Sequence, residues 1–257
     1  MAIVNGNEGS RGIGFRLAIL IAVAHAVLML SGCGRIAEYY NEEGLADSRN
    51  GEYDEAIAHF SKAIELKPDV AKYYINRGLT YGGFKSQHDN AIADFSKAIE
   101  IEPGNHEAHS YRGLAYRFKG AYAEAISDFS KVIGLNPHEV SGYLLRADVY
   151  FRNSEHDLAV DDCSKAIALN PENHYAYFHR GNAHKAKGSY DEAISDYDKA
   201  IELNRGRGES YVGRGYARYA KREYDKAWDD VDMAASLGHQ VDPEFLKNLR
   251  EASGRKE

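Results

Sequence analysis

The sequence predicts an all-α fold: a linear stack of six helix-turn-helix units closed by one further helix. Three observations lead there. One pattern is written six times, starting at Ala37, Ala71, His106, Val140, His174 and Gly208, with successive starts 34 residues apart except for one step of 35. A fixed period of this size means units that cannot bury their apolar faces alone and stack to do so. Each copy divides into two segments with apolar residues at three-to-four spacing, the signature of amphipathic helices. Only five prolines occur in 257 residues, and the repeats are rich in alanine, the best helix former.

The N-terminal stretch reads as an address. Arg11 and Arg16 precede an apolar run over residues 17–30 that holds one histidine and no formal charge. A bilayer span needs roughly 20 apolar residues, so residues 1–32 are expected to be a signal peptide. The run ends in Leu30-Ser31-Gly32-Cys33, which resembles the lipobox of bacterial lipoproteins. That resemblance implies lipid attachment at Cys33, a short anchored linker over 33–36, and a bacterial cell-envelope location facing the periplasm or the exterior. An uncleaved signal anchor, with Cys33 incidental, is the alternative. Two cysteines give no disulfide framework, and Cys163 reads as a small buried hydrophobe.

The repeats, 37–70, 71–105, 106–139, 140–173, 174–207 and 208–241, share a position-by-position code. Position 4 is Tyr40, Tyr74, His109, Tyr143, Tyr177 and Tyr211; position 8 is Gly44, Gly78, Gly113, Ala147, Gly181 and Gly215. Position 20 is alanine throughout, and an aromatic at position 24 (Phe60, Phe95, Phe129, Tyr197) fills the space left by these small residues. Gly51, Gly120 and Gly188 are expected to end the first helix in a left-handed conformation. Asn136-Pro137 and Asn170-Pro171 read as N-caps with proline at the first helical position. The extra residue of the second repeat is expected in the loop Lys85–Asp89. This code resembles the tetratricopeptide repeat, from Ala37 to about His239. The resemblance implies a right-handed α-solenoid that binds proteins.

Position 7 is Arg77, Arg112, Arg146, Arg180 and Arg214, and position 23 is Asp94, Asp128, Asp162, Asp196 and Asp230; the first repeat lacks both. Residue types that appear and vanish together predict structural ion pairs within each repeat. A ladder of guanidiniums recognising partner carboxylates is the alternative. At the far end Asp242 and Pro243 read as N-cap and first residue of a capping helix over 242–252, with Leu246 and Leu249 against the last repeat and Ser253–Glu257 frayed.

No catalytic constellation is found, so an enzyme is not expected. His106 and His109 have helical spacing but no third metal ligand, and no phosphate-binding glycine loop is present; no cofactor is expected. Without residues 1–32 the chain has 30 Lys and Arg against 38 Asp and Glu, a balance that argues against nucleic acid.

What remains is surface. In the tetratricopeptide family the first helix of each unit lines a concave groove at positions 2, 5, 6, 9, 12 and 13. On this chain those positions include Tyr111, Arg117, Phe118, Phe151, Arg152, Tyr175, Phe178, His179, Asn182, Lys185, Tyr216 and Tyr219. Aromatics and arginine tend to dominate interface energies. The groove residues expected to bind a partner are Tyr111, Phe118, Phe151, Tyr175, Phe178, Asn182, Tyr216 and Tyr219. The family's clamp for chaperone C-terminal carboxylates is matched at single positions only, by Lys72, Asn76 and Asn182. The expected function is a lipid-anchored scaffold that takes a peptide or helix segment of a partner protein during assembly or recruitment of envelope proteins. A homo-oligomer built through the solenoid's ends or faces is the competing expectation.

Overall fold

The computed structural model describes residue 32 and residues 34–255, and among these all regular structure is helical. The expected signal peptide, apart from residue 32, and Cys33 lie outside the described residues. Among the described residues thirteen α-helices follow one another: α1 (34–50), α2 (Tyr53–Leu66), α3 (Ala71–Leu79), α4 (His88–Ile101), α5 (His106–Phe118), α6 (Tyr122–Leu135), α7 (Val140–Arg152), α8 (His156–Leu169), α9 (His174–Ala186), α10 (Tyr190–Leu203), α11 (Gly208–Ala220), α12 (Tyr224–Ser236) and α13 (Pro243–Ser253). From the second repeat on, the odd-numbered helices start on the first residue of the repeat. Residues 34–36, expected as linker, are instead the start of α1. Contacts divide the chain into two compact units, residues through Ala108 and residues from His109, with the division inside α5.

Four of the hairpins are built the same way, for a steric reason. Helices can approach closely only where one lacks a side chain. A Cβ placed on Gly44, Gly78, Gly113 or Gly181 would stand 2.8, 2.8, 2.9 or 3.0 Å from the ring of Phe60, Phe95, Phe129 or Tyr197 respectively. Those rings are almost fully buried, as are the alanines at position 20. In the fourth repeat both partners change together: Ala147 replaces the glycine and Cys163 the ring, and both are buried. Burial pushes the Cys163 thiol up to about 12, which suits an inert core residue.

The turn inside each hairpin is a Schellman closure, in which the chain reverses through one left-handed residue. Gly51, Gly120 and Gly188 take φ of 85, 75 and 78°. The other three repeats use Ser86, Ser154 and Arg222, at 53, 62 and 64°. A side chain in that region costs about 1–2 kcal/mol, so the closing bonds hold these residues there. Ala121 donates to the Tyr116 carbonyl at 2.9 Å and Glu155 to that of Tyr150 at 2.8 Å, five residues back.

The extra residue of the second repeat is absorbed earlier than expected. Thr80–Phe84 winds as a π-helix at the end of α3, and Gln87 donates to the Tyr81 carbonyl at 2.8 Å, six residues back instead of five. A π-turn takes in one residue while keeping the backbone hydrogen-bonded, which a longer loop would not.

The Asn-Pro pairs are also corrected. Asn136 and Asn170 end α6 and α8, donating to the carbonyls of Val132 and Ala166. Their prolines then sit at the second position of a turn closed by Glu139 or Asn173, each 3.2 Å from the asparagine carbonyl. The cap of α9 is Asn173, whose side chain accepts from Tyr175 and Ala176.

At the C-terminus Asp242 caps α13 by accepting from Glu244 at 3.0 Å, with Pro243 in the first turn. Phe245 and Leu249, one turn apart, are the buried pair, while Leu246 is only partly covered. Ser253, expected to fray, is the last helical residue and accepts from Trp228 Nε1 at 3.1 Å. The Arg255 guanidinium lies 4.7 Å above the Trp228 ring.

Candidate partner-binding surface

The five arginines at position 7 reach their aspartates in every case. Arg77 Nη2 stands 2.7 Å from Asp94 Oδ1 and its Nε 2.9 Å from Oδ2. The corresponding bonds are both 2.8 Å in Arg112–Asp128 and Arg146–Asp162, and 2.7 and 2.9 Å in Arg180–Asp196. Arg214 holds Asp230 with Nη2 at 2.6 Å and Nε at 3.1 Å, and Arg218 adds a bond at 2.9 Å. The aspartates are buried. Two parallel bonds in a planar fork are the strong geometry for this pair, and they raise the arginines further above their already high range.

Sequence reading missed the third arm of this clasp. Arg77, Arg146 and Arg180 also donate, through Nη1, to Ser61, Ser130 and Ser164 at 2.8, 2.8 and 3.1 Å, each on the second helix of the preceding hairpin. Arg214 uses Asp198 in the same place. The signal was available: position 25 is serine in the first four repeats and aspartate in the fifth. His109 fills the position-4 tyrosine site of the third repeat and sits 3.0 Å from Asp128 Oδ1. Among the described residues no cluster of three or more His, Cys, Asp or Glu could hold a metal.

Within residues through Ala108, the corresponding face of α1 and α3 is polar and internally matched. Glu38 receives Lys72 at 2.8 Å and Tyr73 at 3.1 Å, and Asn41 accepts from Asn76 at 2.8 Å.

Within residues from His109, the face formed by α5, α7, α9 and α11 differs. Arg117 Nη1 and Arg152 Nε converge on one oxygen, Asp148 Oδ2, at 2.6 and 3.0 Å. Burial works against charge on Asp148, but the two guanidiniums outweigh it and hold the carboxyl below its usual range. Arg117, Phe118, Lys119, Gly120, Tyr122 and Arg152 line a cleft of about 330 Å³ beside this junction. Phe118 is exposed beneath the Arg117 guanidinium, 4.5 Å from its ring centre. Tyr111 and Phe151 are half-buried.

On α9, Tyr175 and Phe178 share one cation. The Arg207 guanidinium lies 4.3 Å from both ring centres, and its Nε is buried with no hydrogen-bond acceptor. Arg207 precedes α11 in the turn between repeats, outside the positions the repeat code singles out. Tyr175 is 48 % exposed and Phe178 half-buried.

Three expected groove residues have structural duties instead. Asn182 accepts from the Tyr197 hydroxyl at 2.7 Å. Tyr216 stacks on Phe245 at 3.8 Å, and Tyr219 meets the same ring edge-on at 5.6 Å. The capping helix occupies the place where a partner was expected to meet the two tyrosines.

Comparison with known proteins places this architecture. Models described as "Tetratricopeptide repeat" and "TPR repeat" match residues 44–83, 84–174 and 174–206, an unbroken run over more than half the chain. The chain is a tetratricopeptide repeat protein. Among solved structures, the TPR protein resembles a crystal structure of MamA at 27 % identity and a TM-score of 0.62, over 67 % of this chain and 93 % of that one. It resembles YrrB, described as a TPR protein with an unusual peptide-binding site, at 25 % identity and a TM-score of 0.55, over 69 % and 91 %. A tetratricopeptide repeat protein from Parabacteroides merdae, at 23 % identity, shares the fold with a TM-score of 0.62 over 85 % and 84 %. Comparison with curated proteins finds no match.

Proposed function

We propose that this TPR protein is a lipid-anchored adaptor of the bacterial cell envelope, facing the periplasm or exterior, that docks a segment of a partner protein on the α5–α7–α9–α11 face. The observation that carries the docking is the aromatic pair of α9. Tyr175 is exposed, yet held in place by the Arg207 guanidinium it shares with Phe178. A fixed, exposed aromatic beside cations is the surface type that anchors protein partners. The likeness to YrrB, a TPR protein with a peptide-binding site, supports the same reading.

The anchoring part rests on sequence: the apolar run over residues 17–30 and Leu30-Ser31-Gly32-Cys33. No helix among the described residues is long and apolar enough to cross a membrane. Several acyl chains hold far better than one, since each buried methylene adds about 0.8 kcal/mol. Catalysis has no part in this reading.

A photo-crosslinking amino acid in place of Tyr175, used in cells with adducts identified by mass spectrometry, tests the docking. One dominant protein partner is expected; adducts to other copies of this chain alone would replace the adaptor with a self-assembling scaffold. For the anchor, Cys33→Ser is expected to lose label from an alkyne fatty acid and leave the membrane fraction. A variant that stays membrane-bound, in cells where the parent chain carries no label, would identify an uncleaved signal anchor.

A further inference from the structure

Without residues 1–32 the chain carries a net charge of −8, yet the partner face from His109 on is cationic. Its permanent cations are Arg117, Arg152, Lys185 and Arg207. Asp148 answers two of them, and Glu209 stands 3.7 Å from Arg207. Lys185 has no answer: its ammonium forms no ion pair or hydrogen bond among the described residues and lies 5.0 Å from the Tyr216 ring centre. It is half-buried, and burial holds it below the usual lysine range. Withdrawing an ammonium from water without a counter-charge costs stability, and the Tyr216 ring face offsets only part of it. Arg207 adds a guanidinium pinned against two rings, its buried Nε without a hydrogen bond and facing Glu209 only at 3.7 Å.

Arg117 on α5 and Arg152 on α7 both reach Asp148 Oδ2 and form one cationic centre, and Lys185 on α9 is a second. Packed helices lie about 8–10 Å apart, and a polyproline-II chain advances about 9 Å in three residues. Acidic side chains a few residues apart in such a segment therefore meet the two centres in turn.

We propose that this face recognises an acidic, extended segment of a partner protein, with Asp or Glu residues a few positions apart reaching the Arg117–Arg152 pair and Lys185. This rests on the adaptor reading above and specifies its partner. The negative charge of the remaining surface disfavours a long polyanion such as nucleic acid but leaves a short acidic stretch free to enter.

The test uses the full chain in detergent and a fluorescein-labelled peptide of repeated Glu-Pro-Ser, read by anisotropy. The Glu peptide is expected to bind, to weaken as salt rises, and to outbind its Gln-Pro-Ser counterpart about tenfold or more. Lys185→Gln is expected to weaken the Glu peptide about tenfold without lowering the thermal midpoint, since the ammonium forms no internal ion pair or hydrogen bond among the described residues and meets only the face of Tyr216. Arg152→Gln gives a second reading, with Asp148 still matched by Arg117. Equal binding of the Gln peptide, parent-like binding by both variants, or equal binding of a single-stranded oligonucleotide would overturn the proposal. A dominant Tyr175 adduct to a protein without an acidic stretch would sink this inference and leave the adaptor standing. Tight Glu-peptide binding with adducts only to other copies of this chain would do the reverse.

Discussion

Tyr197 donates its hydroxyl to Asn182 across 2.7 Å, and its ring leans so far toward the next hairpin that a Cβ on Gly213 would stand 2.6 Å from Cζ. The nearest atoms belong to a buried ring with nowhere to turn. Gly213→Ala is therefore expected to destabilise the protein by about 1–3 kcal/mol, the usual cost of overpacking, seen as a lower thermal midpoint. An unchanged midpoint would mean that the ring can move aside.

Size matching within one hairpin gives a second prediction. Cys163→Phe should be destabilising, because Ala147 carries the methyl group that the other hairpins omit beneath their ring. Ala147→Gly added to it should recover most of the loss, since the double variant recreates the Gly-Phe pair of the first three repeats. The coupling in this double-mutant cycle is expected at about 1–3 kcal/mol; strict additivity would show that the two sites do not share space.

The Arg146–Asp162 clasp gives the third. Removing the cation strands a buried carboxylate, so Arg146→Met is expected to cost about 3–5 kcal/mol of local stability, measured by amide exchange in α7 and α8. Arg146→Met with Asp162→Leu should recover much of it, because no unmatched charge remains. If the single and double variants lose equally, the clasp contributes through shape alone.

The fourth concerns pH. Burial holds His179 below its ordinary 6.5; Asp148 opposes this, and Arg207 and Arg152 add to it. The unfolded chain then binds the proton more readily than the folded one, so this contribution is whole above 6.5 and is lost as pH falls from there toward the folded value. His174 shifts the same way, through burial and then Arg207. Melting temperature is expected to fall between neutral and mildly acidic buffer, and less so in His179→Gln. An equal fall in the variant would place the proton elsewhere.

How much of this was legible in the sequence depends on repetition. A residue type that recurs at one position reports a shared duty, which is why the helix starts, the position-8 glycines and the five Arg–Asp pairs could be read. Arg207 and Asp148 occur in one repeat each, so the pattern was silent on them. Tyr216 and Tyr219 misled for a related reason: their positions line a groove in the repeat code, but the last repeat has α13 for a neighbour. Asn136 and Asn170 look like caps by type, and only backbone geometry shows that they end the previous helix. The π-turn at Thr80–Phe84 follows from one extra residue, whose place is decided by where backbone hydrogen bonds survive best.

The three-armed arginine also sets an order of dissolution. Each such arginine ties its own hairpin to the one before, so no clasped hairpin can loosen without its neighbour registering the loss. The first repeat has no arginine at position 7 and puts His59 against Asp47 instead, at 2.6 Å. Of this clasp it receives only the single strand that Arg77 lends to Ser61. In the language of a zipper, the teeth nearest the N-terminus are half cut: breathing begins there, and that hairpin can part from the next while the later ones stay fastened.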